Sequence, residues 1–134
     1  MNQQTYYQKN IMIVEDDPDT AKGLQELCEN HGFQVTTVDN GRLCLLELEK
    51  GFQGIIILDI RNPVMACVHT IKKMIIDGFA DQNTIIVLTQ KYIQGKEFDA
   101  IYPYIYEYIT KPFDANSLLS TIKKIAQQPL KKRV

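Results

Sequence analysis

The sequence predicts an α/β fold: a doubly wound, three-layer sandwich in which a five-stranded parallel sheet lies between two layers of helices, five helices in all. Three runs are apolar at every position, at residues 11–14, 55–58 and 85–88, as in strands covered on both faces. A helix-like segment follows each predicted strand, so that strand and helix alternate five times. The length of 134 residues, with 45% hydrophobic residues, suits one domain with a substantial core.

Capping and turn residues delimit the elements of the first half. After the first strand, Asp17 and Pro18 predict the N-cap and first turn of a helix, and Gly32 predicts its end. Residues 34–38 are rich in β-branched side chains and predict a strand nearer the edge of the sheet. Residues 42–50 are rich in leucine and predict the second helix.

The second half repeats this order. A central strand over residues 54–59 precedes a helix over residues 68–77. The strand over residues 84–88 precedes a weakly patterned segment, in which we expect only a short helix between about residues 94 and 101. Aromatic and aliphatic residues alternate over residues 104–109 and predict a last strand with two different faces.

The ends of the chain differ from the middle in composition. Asp114 or Asn116 is expected to cap the last helix. We therefore expect a polar amino-terminal extension over residues 1–9, one domain over residues 10–126, and a basic tail or the start of a linker over residues 127–134.

Composition excludes several classes of function. The formal net charge of −1 argues against binding nucleic acid or a membrane surface through bulk charge. No apolar stretch approaches the roughly 20 residues of a transmembrane helix, and the polar amino terminus lacks the apolar core of a secretory signal. We expect a cytoplasmic protein whose three cysteines are reduced thiols.

Chemically useful side chains stand at the ends of the predicted central strands and just after the fifth strand. These are Glu15, Asp16, Asp59, Thr89 and Lys111. Because the carboxyl ends of parallel strands share one edge of the sheet, we expect these side chains to converge there. Clustered carboxylates suit a hard divalent cation, Mg²⁺ inside a cell, and a hydroxyl and an ammonium beside it would complete a cradle for a phosphoryl group. Taken alone, Asp59 could equally serve only to cap its loop.

The ordered set of these residues resembles the receiver domain of two-component response regulators. The resemblance rests on Glu15 and Asp16, on Asp59 with Pro63 four residues later, on Thr89, and on residues 108–113, and it covers residues 11–126. It implies a flavodoxin-like sheet with strand order 2-1-3-4-5.

The resemblance also implies a role for each site residue. Asp59 is the expected phosphoacceptor, which takes a phosphoryl group from a sensor histidine kinase or a histidine phosphotransfer protein. Asp16 and Asp59 are the expected Mg²⁺ ligands, assisted by Glu15 through water and by the backbone carbonyl of Arg61.

Three further residues are expected to bind the phosphoryl group or to respond to it. Lys111, presented by a cis bond before Pro112, pairs with a phosphoryl oxygen. Thr89 and Tyr108 act as the switch, which alters the surface formed by the fourth helix, fifth strand and fifth helix. That surface is the expected site for an effector or a homodimer. The domain is expected to be a signalling module rather than an enzyme, assisting only its own phosphorylation and dephosphorylation.

Departures from the usual pattern keep alternatives open. Cys67 stands where the family usually has glycine, Gln90 follows Thr89 where a small residue is common, and Tyr104 replaces a frequent glycine. One alternative is a receiver-like docking module that no longer switches. Another is a Mg²⁺-dependent phosphatase with an aspartate nucleophile, although the threonine of the relevant motif, Thr20, lies one position early.

Overall fold

A computed structural model describes residues 6–60, 64–90 and 95–131. Five parallel strands form one sheet in the order β2-β1-β3-β4-β5. The strands are β1 (Asn10–Val14), β2 (Gln34–Val38), β3 (Ile55–Ile60), β4 (Thr84–Thr89) and β5 (Glu107–Thr110). The predicted fold class and strand order are confirmed.

Five α-helices connect and cover the strands in the described part of the chain. They are α1 (Pro18–Glu29), α2 (Gly41–Glu49), α3 (Val64–Ile76), α4 (Lys96–Ile101) and α5 (Ala115–Ala126). Short 3₁₀ turns at Phe79–Asp81 and Tyr102–Tyr104 precede β4 and β5. None of the helices described in these three ranges has the length and apolar character that crossing a membrane requires.

The core lies on both faces of the sheet. One apolar cluster includes Met12 and Leu58 from the strands and Ile71 from α3, and the other includes Ile57 with Ile122 from α5. All six residues of β3 and of β4 are buried, which explains why these runs contain no polar face. Each large aliphatic side chain buried in this way contributes about 1.5–3 kcal/mol to stability.

The N-caps of α1 and α5 are both aspartates, one as predicted and the other chosen from the two residues that the sequence offered. Asp17 caps α1 by accepting a hydrogen bond from the Thr20 backbone N–H, with Pro18 in the first turn. Asp114, rather than Asn116, is the N-cap of α5 and accepts from the Asn116 N–H at 3.3 Å. Such caps are worth about 1 kcal/mol each.

Two predicted boundaries are wrong. Helix α3 begins at Val64, four residues before the predicted start, and the side chains of Val64 and Cys67 pack against the core in that added turn. Strand β5 begins at Glu107 rather than residue 104. The alternating pattern was misleading there because Pro103, which lacks a backbone N–H, lies within the 3₁₀ turn Tyr102–Tyr104.

The terminal segments pack together at the amino-terminal ends of the strands. The Tyr7 N–H donates to the Ala126 carbonyl at 2.8 Å. The buried Gln8 side chain contacts the carbonyls of Ile125 and Gln128, each at 3.2 Å. Lys131 donates from Nζ to the Asn83 carbonyl at 2.8 Å. Residues 127–131 therefore lie against the domain, at the pole opposite the carboxyl ends of the strands.

Candidate functional site

Asp59 lies at the carboxyl end of β3 and is paired with Lys111. The Lys111 ammonium donates from Nζ to Asp59 Oδ2 at 2.5 Å. The Asp59 side chain is 1% exposed and the Lys111 side chain 16% exposed. Ion pairs are strong where water is excluded, because screening is weak. The pair joins two residues 52 positions apart, as the convergence of strand ends predicts.

The segment after β5 positions Lys111. Its backbone N–H donates to the carbonyl of Thr89 at 2.8 Å, which joins the end of β5 to the end of β4. The Lys111–Pro112 peptide bond is cis, as the resemblance implied. Thr89 itself is buried and stands in register with Ile60 on one side and Thr110 on the other.

Glu15 and Asp16 follow β1 and have different surroundings. The Glu15 N–H donates to the Val38 carbonyl at 3.0 Å, which continues the pairing of β1 with β2. The Glu15 side chain is buried, and its Oε2 accepts from the Asp16 backbone N–H at 3.1 Å. Asp16 is exposed.

The three predicted carboxylates line one cleft of about 340 Å³. Besides Glu15, Asp16 and Asp59, the cleft is bounded by Asp39 in the loop before α2, by Arg42 in the first turn of α2, and by the first turns of α3. Lys111 reaches Asp59 without lining this cleft. Asp59 therefore stands between the cleft and its ammonium partner.

The donor chemistry of the cleft suits Mg²⁺. In the described ranges, no three His, Cys, Asp or Glu side chains are spaced to enclose a metal ion. Mg²⁺ does not require such a cage, because it keeps several waters and binds through one or two carboxylates together with phosphate oxygens. Asp16 and Asp59 open into the same cleft and can supply those carboxylates. The predicted contribution of Arg61 lies outside the described residues.

Tyr108 faces the helix layer that contains α3 and α4, where it packs against the core. Its ring centroid lies 5.0 Å from that of Phe98 in α4 and 5.4 Å from that of Tyr102. Burial, and secondarily the neighbouring phenol of Tyr102, raise the pKa of Tyr108 well above its ordinary value.

Comparison with known families decides what kind of domain this is. A model of the response regulator receiver domain matches residues 11–123, most of the chain. The chain belongs to the response regulator receiver domain family. The membership that the strand-end residues predicted is thereby confirmed.

Curated relatives of this receiver domain are longer proteins. It is 35% identical over 126 residues to the probable transcriptional regulator ycf29 of Pyropia yezoensis, covering 90% of this chain and 55% of that protein. It is 27% identical over 119 residues to the C4-dicarboxylate transport transcriptional regulatory protein DctD of Rhizobium meliloti, covering 89% of this chain and 25% of that protein. The receiver domain spans a quarter to about half the length of these relatives.

Solved receiver structures share the fold. A CheY-like response regulator receiver domain protein from Methanospirillum hungatei JF-1 superposes with a TM-score of 0.79 at 30% identity, covering 87% of this chain and 93% of that one. The response regulator protein TrrA from Thermotoga maritima, crystallised in complex with Mg²⁺-BeF, gives a TM-score of 0.71 at 25% identity and covers 87% and 98% of the two chains.

Two features of this receiver domain were missed by sequence reasoning. One is the contact of Tyr102 with Tyr108, for which the tyrosines at alternate positions gave a misleading strand signal. The other is the close approach of Gly41 to Thr70 beside the cleft, where a Cβ atom on Gly41 would overlap the Thr70 hydroxyl. A glycine at the start of a helix was the available signal, but it does not reveal its partner.

Proposed function

We propose that this receiver domain accepts a phosphoryl group on Asp59 from a phosphohistidine of a sensor histidine kinase or a histidine phosphotransfer protein. The observation that carries the proposal is the Asp59 carboxylate, which lines an open cleft while the Lys111 ammonium holds it at 2.5 Å. A carboxylate fixed in this way is a positioned nucleophile.

The proposed step is a transfer between two nucleophiles. A carboxylate oxygen of Asp59 forms a bond to phosphorus while the phosphorus–nitrogen bond of the donor breaks. The electron pair of that bond stays on the imidazole, which takes up a proton from solvent. Lys111 then stabilises the negative charge on a phosphoryl oxygen, and the hydroxyl of Thr89 donates a hydrogen bond to the same group.

We assign Mg²⁺ to Asp16 and Asp59, with Glu15 acting through water and the backbone carbonyl of Arg61 as a further ligand. The hard oxygen donors of the cleft support this assignment, as does the similarity to TrrA, whose structure holds Mg²⁺-BeF. When bound, the cation neutralises charge that accumulates on the phosphoryl oxygens.

The new charge would bias a two-state element. Thr89 ends β4, and Tyr108 lies on the neighbouring strand β5. We propose that Thr89 and Tyr108 pass the change at Asp59 to the surface of α4, β5 and α5, where an effector or a second copy of the domain would bind. The domain would assist only its own phosphorylation and dephosphorylation.

Intact mass spectrometry after incubation with acetyl phosphate and Mg²⁺ tests the proposal. We expect the mass to rise by one phosphoryl group in wild type and to stay unchanged in Asp59→Asn. A matched control is Asp39→Asn, because Asp39 is an exposed carboxylate that lines the same cleft and has no assigned role. The Asp39 variant should gain the phosphoryl group as wild type does. No mass gain in wild type, or an equal gain in Asp59→Asn, would overturn the proposal.

A further inference from the structure

Three aromatic rings form a cluster on the α4 side of β5, here called the aromatic clamp: Phe98, Tyr102 and Tyr108. The rings of Tyr102 and Tyr108 are nearly parallel, at 10° and 5.4 Å between centroids. Phe98 is tilted at 51° to Tyr108 with a centroid distance of 5.0 Å. Both geometries are among the favourable arrangements of aromatic pairs. The ring of Tyr108 is therefore held by two neighbours from α4 and the turn that follows it.

The three rings differ in exposure. Phe98 is buried, whereas 58% of Tyr102 is exposed to solvent. Tyr102 thus covers Tyr108 and separates it from water on that side. Tyr104 and Tyr106 are also exposed, but no ring contact joins either of them to the clamp within the described ranges.

Packing, rather than hydrogen bonding, accounts for the partly buried position of Tyr108. Its hydroxyl oxygen is buried and has no hydrogen-bond partner among the described residues. Burying a hydroxyl in this way is unfavourable, so the ring contacts must offset that cost. The burial that raises the pKa of Tyr108 is consistent with this environment.

The clamp lies next to the proposed site. Tyr108 stands opposite Val87 in the register of β4 and β5, and Thr89 stands opposite Thr110 two positions later. Side chains two residues apart on a strand share a face. Tyr108 therefore lies on the same sheet face as Thr89, and that face is the one that α4 covers.

We propose that Tyr102 is a positioning residue that holds Tyr108 in its orientation against α4 and thereby sets how readily the switch of this domain changes state. The part concerning the switch rests on the proposed function; the holding of Tyr108 does not. An aromatic pair of this kind corresponds to about a 2- to 13-fold change in a conformational equilibrium.

Three variants test the holding of Tyr108 in the unphosphorylated protein. Tyr102→Ala removes the stacked ring, Tyr102→Phe keeps the ring without its hydroxyl, and Tyr104→Ala removes an exposed tyrosine outside the clamp. The measured quantity is the ionisation of Tyr108. It is observed by NMR of protein labelled with ¹³C in the tyrosine rings. Its resonance is assigned by its loss in Tyr108→Phe. Circular dichroism at the same pH verifies that each variant is folded.

At about pH 11, we expect Tyr108 to remain protonated in wild type, Tyr102→Phe and Tyr104→Ala. In Tyr102→Ala the pKa of Tyr108 should fall toward the ordinary tyrosine value of about 10, so that a larger fraction of the ring is ionised than in wild type. Because circular dichroism verifies that Tyr102→Ala is folded at this pH, ionisation of Tyr108 in that variant reports the local environment of its ring and not unfolding of the domain. The proposal is overturned if Tyr108 titrates in folded Tyr102→Ala as it does in wild type, or if Tyr104→Ala has the same effect.

A second arm examines the switch. Tyr102 lies outside the phosphoryl site, so Tyr102→Ala should still gain a phosphoryl group from acetyl phosphate and Mg²⁺. The change in the Tyr108 resonance between the two forms should be at least 2-fold smaller than in wild type, because Tyr108 is already released. An unreduced change would overturn the role in switching. The titration of the three variants needs no phosphoryl group. It therefore tests whether Tyr102 holds Tyr108 even if the phosphoacceptor proposal fails.

Discussion

Replacing Lys111 by methionine should destabilise the domain strongly, because the replacement removes the cation that faces a buried carboxylate. The pair is 2.5 Å long, and only 1% of the Asp59 side chain is exposed. Breaking a buried ion pair by removing one partner costs about 3–5 kcal/mol. Since Lys111 retains some exposure and Asp59 borders a cleft, we place Lys111→Met near the lower end, at about 3 kcal/mol.

The structure also predicts an asymmetry between the two partners. Asp59→Asn leaves the Lys111 ammonium, which is 16% exposed and can turn toward water on its flexible stem. We expect this variant to cost only about 1 kcal/mol. The double variant should cost less than the sum of the single ones, with a coupling energy of about 2 kcal/mol.

Urea denaturation, followed by circular dichroism without Mg²⁺, measures these free energies of unfolding. Lys124→Met is the matched control, because Lys124 is an exposed lysine on α5, and it should change stability by less than about 0.5 kcal/mol. If Lys111→Met matches this control, or if Asp59→Asn proves the more costly of the two, the inferred burial of the carboxylate is wrong.

Three other predictions concern positions away from the ion pair. Gly54→Ala should destabilise the domain by roughly 3 kcal/mol or more, because an added Cβ would overlap the Asn10 backbone carbonyl. Gly51→Ala, where the space is open and only a positive φ opposes the change, should cost about 1–2 kcal/mol in the same urea denaturation assay. Gln8→Ala should cost about 1–3 kcal/mol and speed amide hydrogen exchange in residues 127–131; unchanged exchange would mean that the segment is held by other contacts. Burial raises the pKa of Cys28 to about 11 and that of Cys44 to about 12, so the folded state keeps both protonated after the unfolded chain has lost these protons near pH 9. Their contribution to stability should therefore be complete below about pH 9 and decline as pH rises toward 11–12. Alkylation of Cys28 and Cys44 by iodoacetamide at pH 8 should be slow until urea is added. Rapid alkylation of the folded protein would contradict the burial of these thiols.

Sequence reasoning succeeded where one physical constraint dominated. The runs in β3 and β4 are apolar because both faces of the sheet are covered by helices, and an all-apolar strand is typical of that position. The position of Asp59 at a strand end followed from that pattern together with the turn residues behind it. Convergence of Asp59 and Lys111 followed from parallel pairing alone.

Sequence reasoning failed where two local patterns competed. The alternation of aromatic residues before β5 favoured a strand, but Pro103 and the stacking of Tyr102 on Tyr108 favour a turn. Nothing in the local sequence reports that stacking, since it depends on how α4 meets β5. The contact of Gly41 with Thr70 could not be predicted from the sequence either, because it depends on how closely α2 and α3 pack in the folded domain.

The hydrogen bond between Tyr7 and Ala126 brings the two ends of the domain to the same place. A chain whose termini are adjacent can be circularly permuted, or inserted as a cassette within another protein, without separating any pair of neighbouring strands. Both points of attachment lie at the amino-terminal ends of the strands, whereas the cleft lies at their carboxyl ends. Domains fused at either end would therefore leave the entrance to Asp59 open to a phosphodonor.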